Sequence, residues 1–268
     1  WHFLWPLLEK DGDSFGVWPL FSDNRFRERE ELMPYYRAWA EVFPANAAIR
    51  WMATEGREGT APEHLSQALR TSGFYVLRSG WDADATVMVL KAGPQGFWHC
   101  QPDNGTFEYW RRGRNFFPDS GSYVYGGDSA VLAQRNWFRQ TRVHNTVTLD
   151  DRDLEKTDSK LLLWDATPEL TTLVTENPSY EGLTHRRAMF FTGEGLLVIA
   201  DQVSGPAAGN VGVHFNLCPG RIEYARDGTV RTLFADGNNI RIKTSATVPV
   251  QIREEEGWVS TAYRKKEE

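Results

Sequence analysis

The sequence predicts a mainly β protein, a large antiparallel β-sandwich entered through a short helical segment. Two observations point there. From Phe74 onward the chain breaks into short β-rich runs, and the later runs are joined by hairpin-type turns with no helix-length stretch between them. Before that point the spacing of apolar residues is helical.

Taken in order, Glu and Arg alternate with Leu32, Tyr35, Tyr36, Trp39, Ala40 and Phe43 between Asn24 and about Arg70, and Pro62 to Leu69 repeats that spacing. Two or three helices are expected, in a segment bounded at residues 1–72. The sandwich is expected over residues 73–268. Its strands are Phe74 to Arg78, Thr86 to Lys91, Phe107 to Arg111, Thr146 to Leu149, Lys160 to Trp164, Leu170 to Thr175, Arg186 to Thr192 and Leu196 to Asp201. Val211 to Asn216, Arg221 to Tyr224, Val230 to Phe234, Ile240 to Thr244 and Val248 to Arg253 complete the set. Gly193-Glu194-Gly195, Asp227-Gly228 and Asp236-Gly237-Asn238-Asn239 supply the turns.

Composition excludes several classes. A chain of 268 residues with 41% hydrophobic and 13% aromatic residues, 11 of them Trp, has ample material for a core and is not a disordered polymer. No apolar run approaches the roughly 20 residues of a membrane-spanning helix, so no membrane partner is expected. A net charge of −6 gives no general attraction for nucleic acid. Cys100 and Cys218 make at most one bridge, not a disulfide scaffold. The start at Trp1, with no basic stretch leading an apolar one, reads as a piece of a longer chain. There is no Gly-x-Ser-x-Gly elbow, P-loop, dinucleotide fingerprint or Cys-x-x-Cys pair.

The chemistry-bearing residues gather in three stretches. Phe97 to Trp110 places His99, Gln101 and Asp103 just before a strand. Arg111, Arg112 and Arg114 then lead to a Gly-, Tyr- and Ser-rich loop containing Asp119. In the third stretch, His144 introduces the alternating run of another strand. Each has a bland reading. A lone histidine among aromatics is more often a hydrogen-bonding core or surface group than a catalyst, arginines on a strand are mostly solvated, and Asp after Pro is a common turn residue.

Together these stretches resemble the heparinase II/III-like polysaccharide lyases. The matching segments are Phe74-Tyr75-Val76-Leu77-Arg78-Ser79-Gly80, His99-Cys100-Gln101-Pro102-Asp103-Asn104-Gly105, Asp119-Ser120-Gly121-Ser122-Tyr123 and His144-Asn145-Thr146-Val147. Pro19-Leu20-Phe21-Ser22-Asp23 is similar to the family's segment near the end of its helical domain. Gln101, two residues after His99, resembles the heparan-sulfate lyases of polysaccharide lyase family 12.

The resemblance implies an incomplete (α/α) toroid packed on the sandwich, of which this chain carries the last helices. It implies β-elimination at a uronic acid of an anionic polysaccharide of heparan sulfate or heparin type, in the periplasm or outside the cell. By this match His99 is the catalytic residue on the sandwich side, and its partner Tyr and a carboxylate-neutralising Asn belong to toroid segments with no counterpart here. Gln101, Asp119 and His144 match the positions of a structural divalent metal site, whose donors suit zinc, with calcium or manganese as alternatives. Apart from the resemblance, Arg111, Arg112, Arg114, Trp98 and Trp110 are candidates for binding sulfates, carboxylates and sugar faces. The competing reading is a carbohydrate-binding sandwich without chemistry.

Overall fold

The computed structural model describes residues 10–11, 14–15, 29–82, 84–96 and 100–268. Two short strands, β1 (Lys10–Asp11) and β2 (Ser14–Phe15), pair antiparallel ahead of helix α1 (Arg29–Val42) and helix α2 (Ala47–Ala53). Leu32, Met33 and Tyr36 recur at helical spacing, and their shared stripe packs on Ile49, Met52 and Ala53 of α2. Asn46 caps α2 by accepting the Ile49 N–H at 3.0 Å. Trp81 joins this small core from the loop after the second sheet strand, so the helices are tied to the β region.

The first large sheet is an antiparallel meander, β3 (Gln67–Leu69), β4 (Phe74–Arg78), β5 (Thr86–Lys91), β6 (Phe107–Arg111) and β7 (Arg114–Asn115), hydrogen-bonded in that order. The Pro62 to Leu69 helix expected from spacing does not form. Gln67, Ala68 and Leu69 instead pair with Val76, Tyr75 and Phe74, because a sheet edge offers those backbone groups partners that an eight-residue helical pattern interrupted by irregular chain cannot. The sheet therefore reaches back across the 72/73 boundary.

The second sheet has the order β12, β11, β10, β9, built from β9 (Lys160–Ala166), β10 (Leu170–Tyr180), β11 (Leu183–Thr192) and β12 (Leu197–Ser204). Its inner face meets the first sheet in one core, where Tyr75, Leu77, Met88, Leu90, Phe107 and Tyr109 pack with Leu173, Met189 and Phe191. Strand β5 is buried throughout, so its alternate residues Val87 and Val89 form a separate cluster with Val76 and Trp110 on the opposite face. Along β11 the inward row runs from apolar to polar. Phe191 and Met189 give way to Arg187 and His185, all buried. That change of character marks where the sandwich stops being a hydrophobic core.

Smaller pieces complete the fold: β8 (Val147–Leu149) with β13 (Val211–Val213), then β14 (Ile222–Tyr224), β15 (Val230–Thr232) and β16 (Arg241–Ile242), and the hairpin β17 (Val259–Ala262) with β18 (Lys265–Glu267). Two features depart from expectation. Val248 to Arg253 alternates like a strand but is in no strand, and Val248, Val250 and Ile252 are exposed, because alternation without a neighbouring edge gives no ladder. Helix α3 (Ser129–Phe138) was not expected in the Gly-rich region; Asp128 caps it by accepting the Ala130 and Val131 N–H groups.

A candidate metal centre at the sandwich loops

Three loops converge beside the polar end of the core. The first leaves β5 and returns to β6 through Gln101 to Thr106, closed by Gly105 at φ +87, a conformation that favours glycine. Its turn is fixed to the sheet by Gly105 N–H donating to the Lys91 carbonyl at 2.8 Å. The second loop follows Phe116 and Phe117, whose buried rings pin the chain just before Pro118 and Asp119. The third contains the 3-10 turn Thr141–Val143, after which His144 returns to extended backbone and starts the approach to β8.

At their meeting point Asp103, Asp119 and His144 present ligand atoms that all lie within 4.8 Å of one another. None is exposed by more than 1%. His144 Nδ1 is 2.7 Å from Asp119 Oδ2, and Asp119 Oδ1 accepts the Gly121 N–H at 3.0 Å. Burial opposes charge on the His144 ring, but the Asp119 carboxylate, its hydrogen bond and Asp103 behind it outweigh that and raise the His144 pKa above its ordinary value.

Whether these residues fit a metal is answered by two features. His144 Nε2 is a buried ring nitrogen with no hydrogen-bond partner among the described residues, and a buried orphan of this kind is costly unless something binds it. The second feature is charge. Asp103 pairs with the Lys91 ammonium, Asp119 lies beside it, and fully buried Glu108 accepts the Asp119 N–H at 3.1 Å. Three buried carboxylates thus gather at one place, a setting that favours a divalent cation. The buried Asp-Asp-His group can therefore hold a metal ion.

Gln101 belongs to the same neighbourhood: it is fully buried, and its amide donates to the Gly121 carbonyl at 3.3 Å, two residues beyond Asp119. The preceding residue is anchored too, the Cys100 carbonyl accepting from the Arg139 guanidinium at 3.2 Å. His99 and Trp98 lie outside the described residues.

The other candidates are elsewhere. Arg111, Arg112 and Arg114 sit at the far end of β6 from the Asp103 turn, a distance of about 17 Å along a strand rising 3.3 Å per residue. Arg112 and Gly113 form the β6–β7 turn, both at positive φ, and Arg112 Nε pairs with Asp84 at 3.0 Å. Arg114 clasps Asp236 through both terminal nitrogens at 3.2 and 2.9 Å, donates to the Asn238 carbonyl, and lies 3.8 Å over the Phe234 ring. Trp110 is only 2% exposed inside the cluster with Val76, Val87 and Val89, so its faces are turned to protein.

Sequence reasoning named Asp103 as a chemistry-bearing residue but not as a metal ligand, and it did not single out Lys91 or Glu108. Asp103 stood within the His99 to Gly105 stretch, but only folding shows that the residue two places after Gln101 faces Asp119 and His144.

Fold and site together define a two-sheet antiparallel sandwich with a buried carboxylate–histidine cluster where its loops meet. The chain belongs to the heparinase II/III-like family: that family's C-terminal domain profile matches residues 61–268. It is 48% identical over 249 residues to a heparin-sulfate lyase of Bacteroides stercoris, covering 92% of this chain and 37% of that protein. Against the heparin-sulfate lyase of Pedobacter heparinus the identity is 44%, covering 92% of this chain and 38% of that one. A solved heparinase III structure superposes with a TM-score of 0.94 at 48% identity, over 99% of this chain and 41% of the other. A crystal structure of a heparan sulfate lyase from Pedobacter heparinus gives 0.90 at 43% identity, over 94% and 40%. The chain thus spans about two-fifths of the length of these relatives and corresponds to their C-terminal part.

Proposed function

We propose that the protein to which this chain belongs is a polysaccharide lyase that cleaves heparan sulfate or a heparin-like glycosaminoglycan by β-elimination. The observation that carries this reading is the family match, with relatives named heparin-sulfate lyase similar over 92% of the chain. In such a reaction the proton at C5 of the uronic acid leaves to a base, negative charge builds next to the carboxyl group, and the C4 glycosidic oxygen departs. Free carboxylate would resist that build-up, so hydrogen bonds must neutralise it.

His99 is the proposed base on this side of the cleft, its neutral imidazole available near pH 7. The chain that follows it is held by Arg139 on the Cys100 carbonyl and by Gln101 against Gly121. The neutralising Asn and the Tyr that protonates the leaving oxygen are assigned to the toroid. Asp103, Asp119 and His144 would hold the metal, zinc by preference for mixed nitrogen and oxygen donors, with Gln101 beside them. When bound, the metal supplies charge compensation and cross-linking between loops. The relatives' substrate favours a periplasmic or secreted location.

The test uses the intact protein and heparan sulfate, followed by the ultraviolet absorbance of the unsaturated uronate product. Turnover is expected, with His99→Ala lowering it by about 10²–10⁴-fold while metal content is retained. Residues 1–268 alone should be slower than the intact enzyme by several orders of magnitude, since they lack both the neutraliser and the acid. Glycan binding with no absorbance change would favour the binding-only sandwich.

A further inference from the structure

Arg187 is a buried cation that the reading above leaves without a task. It projects from β11 on the inward face and is 1% exposed. Its register partner on β12 is Asp201, which holds the guanidinium by two bonds, Nε to Oδ1 at 2.7 Å and Nη2 to Oδ2 at 3.1 Å. His185 Nε2 meets the same Oδ1 at 2.7 Å, fixing the carboxylate from the other side. The remaining nitrogen, Nη1, donates to two backbone carbonyls at 2.6 Å each, those of Gly105 and Asn145.

Those carbonyls are informative. Gly105 lies two residues after Asp103, and Asn145 directly follows His144. The Asn145 side chain completes the link: Nδ2 donates to the Phe107, Phe117 and Pro118 carbonyls at 2.8, 3.1 and 3.4 Å, the last belonging to the residue before Asp119. All three ligand-bearing loops are thus fixed, within two residues of the ligand, by one buried guanidinium and one buried amide. The Asp103 and Asp119 loops flank the paired strands β6 and β7, but the His144 loop leads into β8 of a separate sheet, so no sheet ladder sets its distance from the other two. A guanidinium is suited to this because its planar fork keeps two donors on Asp201 and aims another at the loops.

We propose that Arg187, locked on Asp201, is a positioning residue for the metal centre, holding the Asp103 and His144 loops at ligating distance through the Gly105 and Asn145 carbonyls. The inference rests on the metal reading of that cluster. It assigns no metal ligand; it assigns the part that sets how well the ligands are placed, and residues that orient ligands from behind typically change metal affinity by about 10–100-fold when removed.

The experiment titrates zinc into the metal-stripped intact protein by calorimetry and records the visible absorption of the cobalt-loaded form, for wild type, Arg187→Lys and Asp201→Asn. Lys keeps the charge but cannot span Asp201 and two carbonyls together. At a temperature where the stripped variant is folded by circular dichroism, Arg187→Lys should bind zinc about 10–100-fold more weakly and give an altered cobalt spectrum. A role confined to stability would lower the melting temperature and leave both readouts as in wild type, and that result overturns the proposal. If Arg187→Lys does not fold, Asp201→Asn decides: weakened zinc binding supports the clamp, and unchanged affinity rejects it. Wild type binding no zinc or cobalt removes the metal reading and the clamp with it, whereas wild type binding tightly with equal affinity in the variants removes the clamp alone.

Discussion

His144 Nδ1 and Asp119 Oδ2 lie 2.7 Å apart with both side chains wholly buried, joining residues 25 positions apart in the chain. The pairing leaves the other ring nitrogen, Nε2, buried and without a hydrogen-bond partner among the described residues. Asp119 and Asp103 bring carboxylate oxygens to this same ring, a mixed oxygen and nitrogen donor set that can hold a divalent ion.

Metal content and stability are therefore expected to move together. Elemental analysis should find one divalent ion per chain, and chelation should lower the melting temperature. A ligand present at a hundred times its dissociation constant stabilises by about 2.7 kcal/mol, and each kcal/mol is about 2–4 °C for a domain of this size. His144→Ala should lose the ion and melt earlier than wild type, with chelator then adding no further drop. A stoichiometric ion retained by His144→Ala would remove His144 from the site.

The arginines after β6 divide by their surroundings. Arg114 is committed to Asp236, Asn238 and Phe234, so Arg114→Ala should lower the melting temperature through lost packing and a cation–π contact of about 0.5–1 kcal/mol. Its KM for heparan sulfate should stay near wild type. Arg112, exposed and paired with exposed Asp84, should cost little stability when replaced. A KM rise of tenfold or more in Arg114→Ala at unchanged stability would restore it as a glycan contact.

Acid sensitivity should trace to the Arg187 network. Burial works against the Asp201 charge, but Arg187 and the hydrogen bonds from His185 and Arg187 overcome it and hold Asp201 well below the usual carboxylate range. For a group lowered in the folded state, the stability it contributes is complete above the unfolded pKa of about 3.9 and is lost as pH falls below it. His185 is also lowered, chiefly by burial, so the folded state resists its protonation and loses stability as pH drops below about 6.5. Denaturant unfolding between pH 7 and pH 3 should show both losses, and Asp201→Asn should flatten the lower one. An acid limb identical in Asp201→Asn and wild type would assign that loss to other carboxylates.

Much was legible in the residues alone. Short β-rich runs at Phe74 to Arg78, Thr86 to Lys91 and Phe107 to Arg111, with hairpin turns farther on, pointed to an antiparallel β-sandwich, because strand propensity and turn chemistry are local properties. The family resemblance implied a common neighbourhood for Gln101, Asp119 and His144, and those three residues do lie on the loops that meet. Local pattern also misled where no partner was visible to it: Val248 to Arg253 alternates without an edge to pair with, and Pro62 to Leu69 has helical spacing but lies beside β4.

Tertiary structure decided what depends on distance between segments far apart in sequence. It put Asp103 and Lys91 into the cluster, sent Arg114 to Asp236 more than a hundred residues away, turned Trp110 into the core, and set Arg187 opposite Asp201 with its last nitrogen on two ligand-bearing loops. Arg111, Arg112 and Arg114 follow the Asp103 turn closely in sequence yet lie at the other end of β6. A strand separates its two ends by its own length, so residues at opposite ends cannot meet, while loops from different strands can.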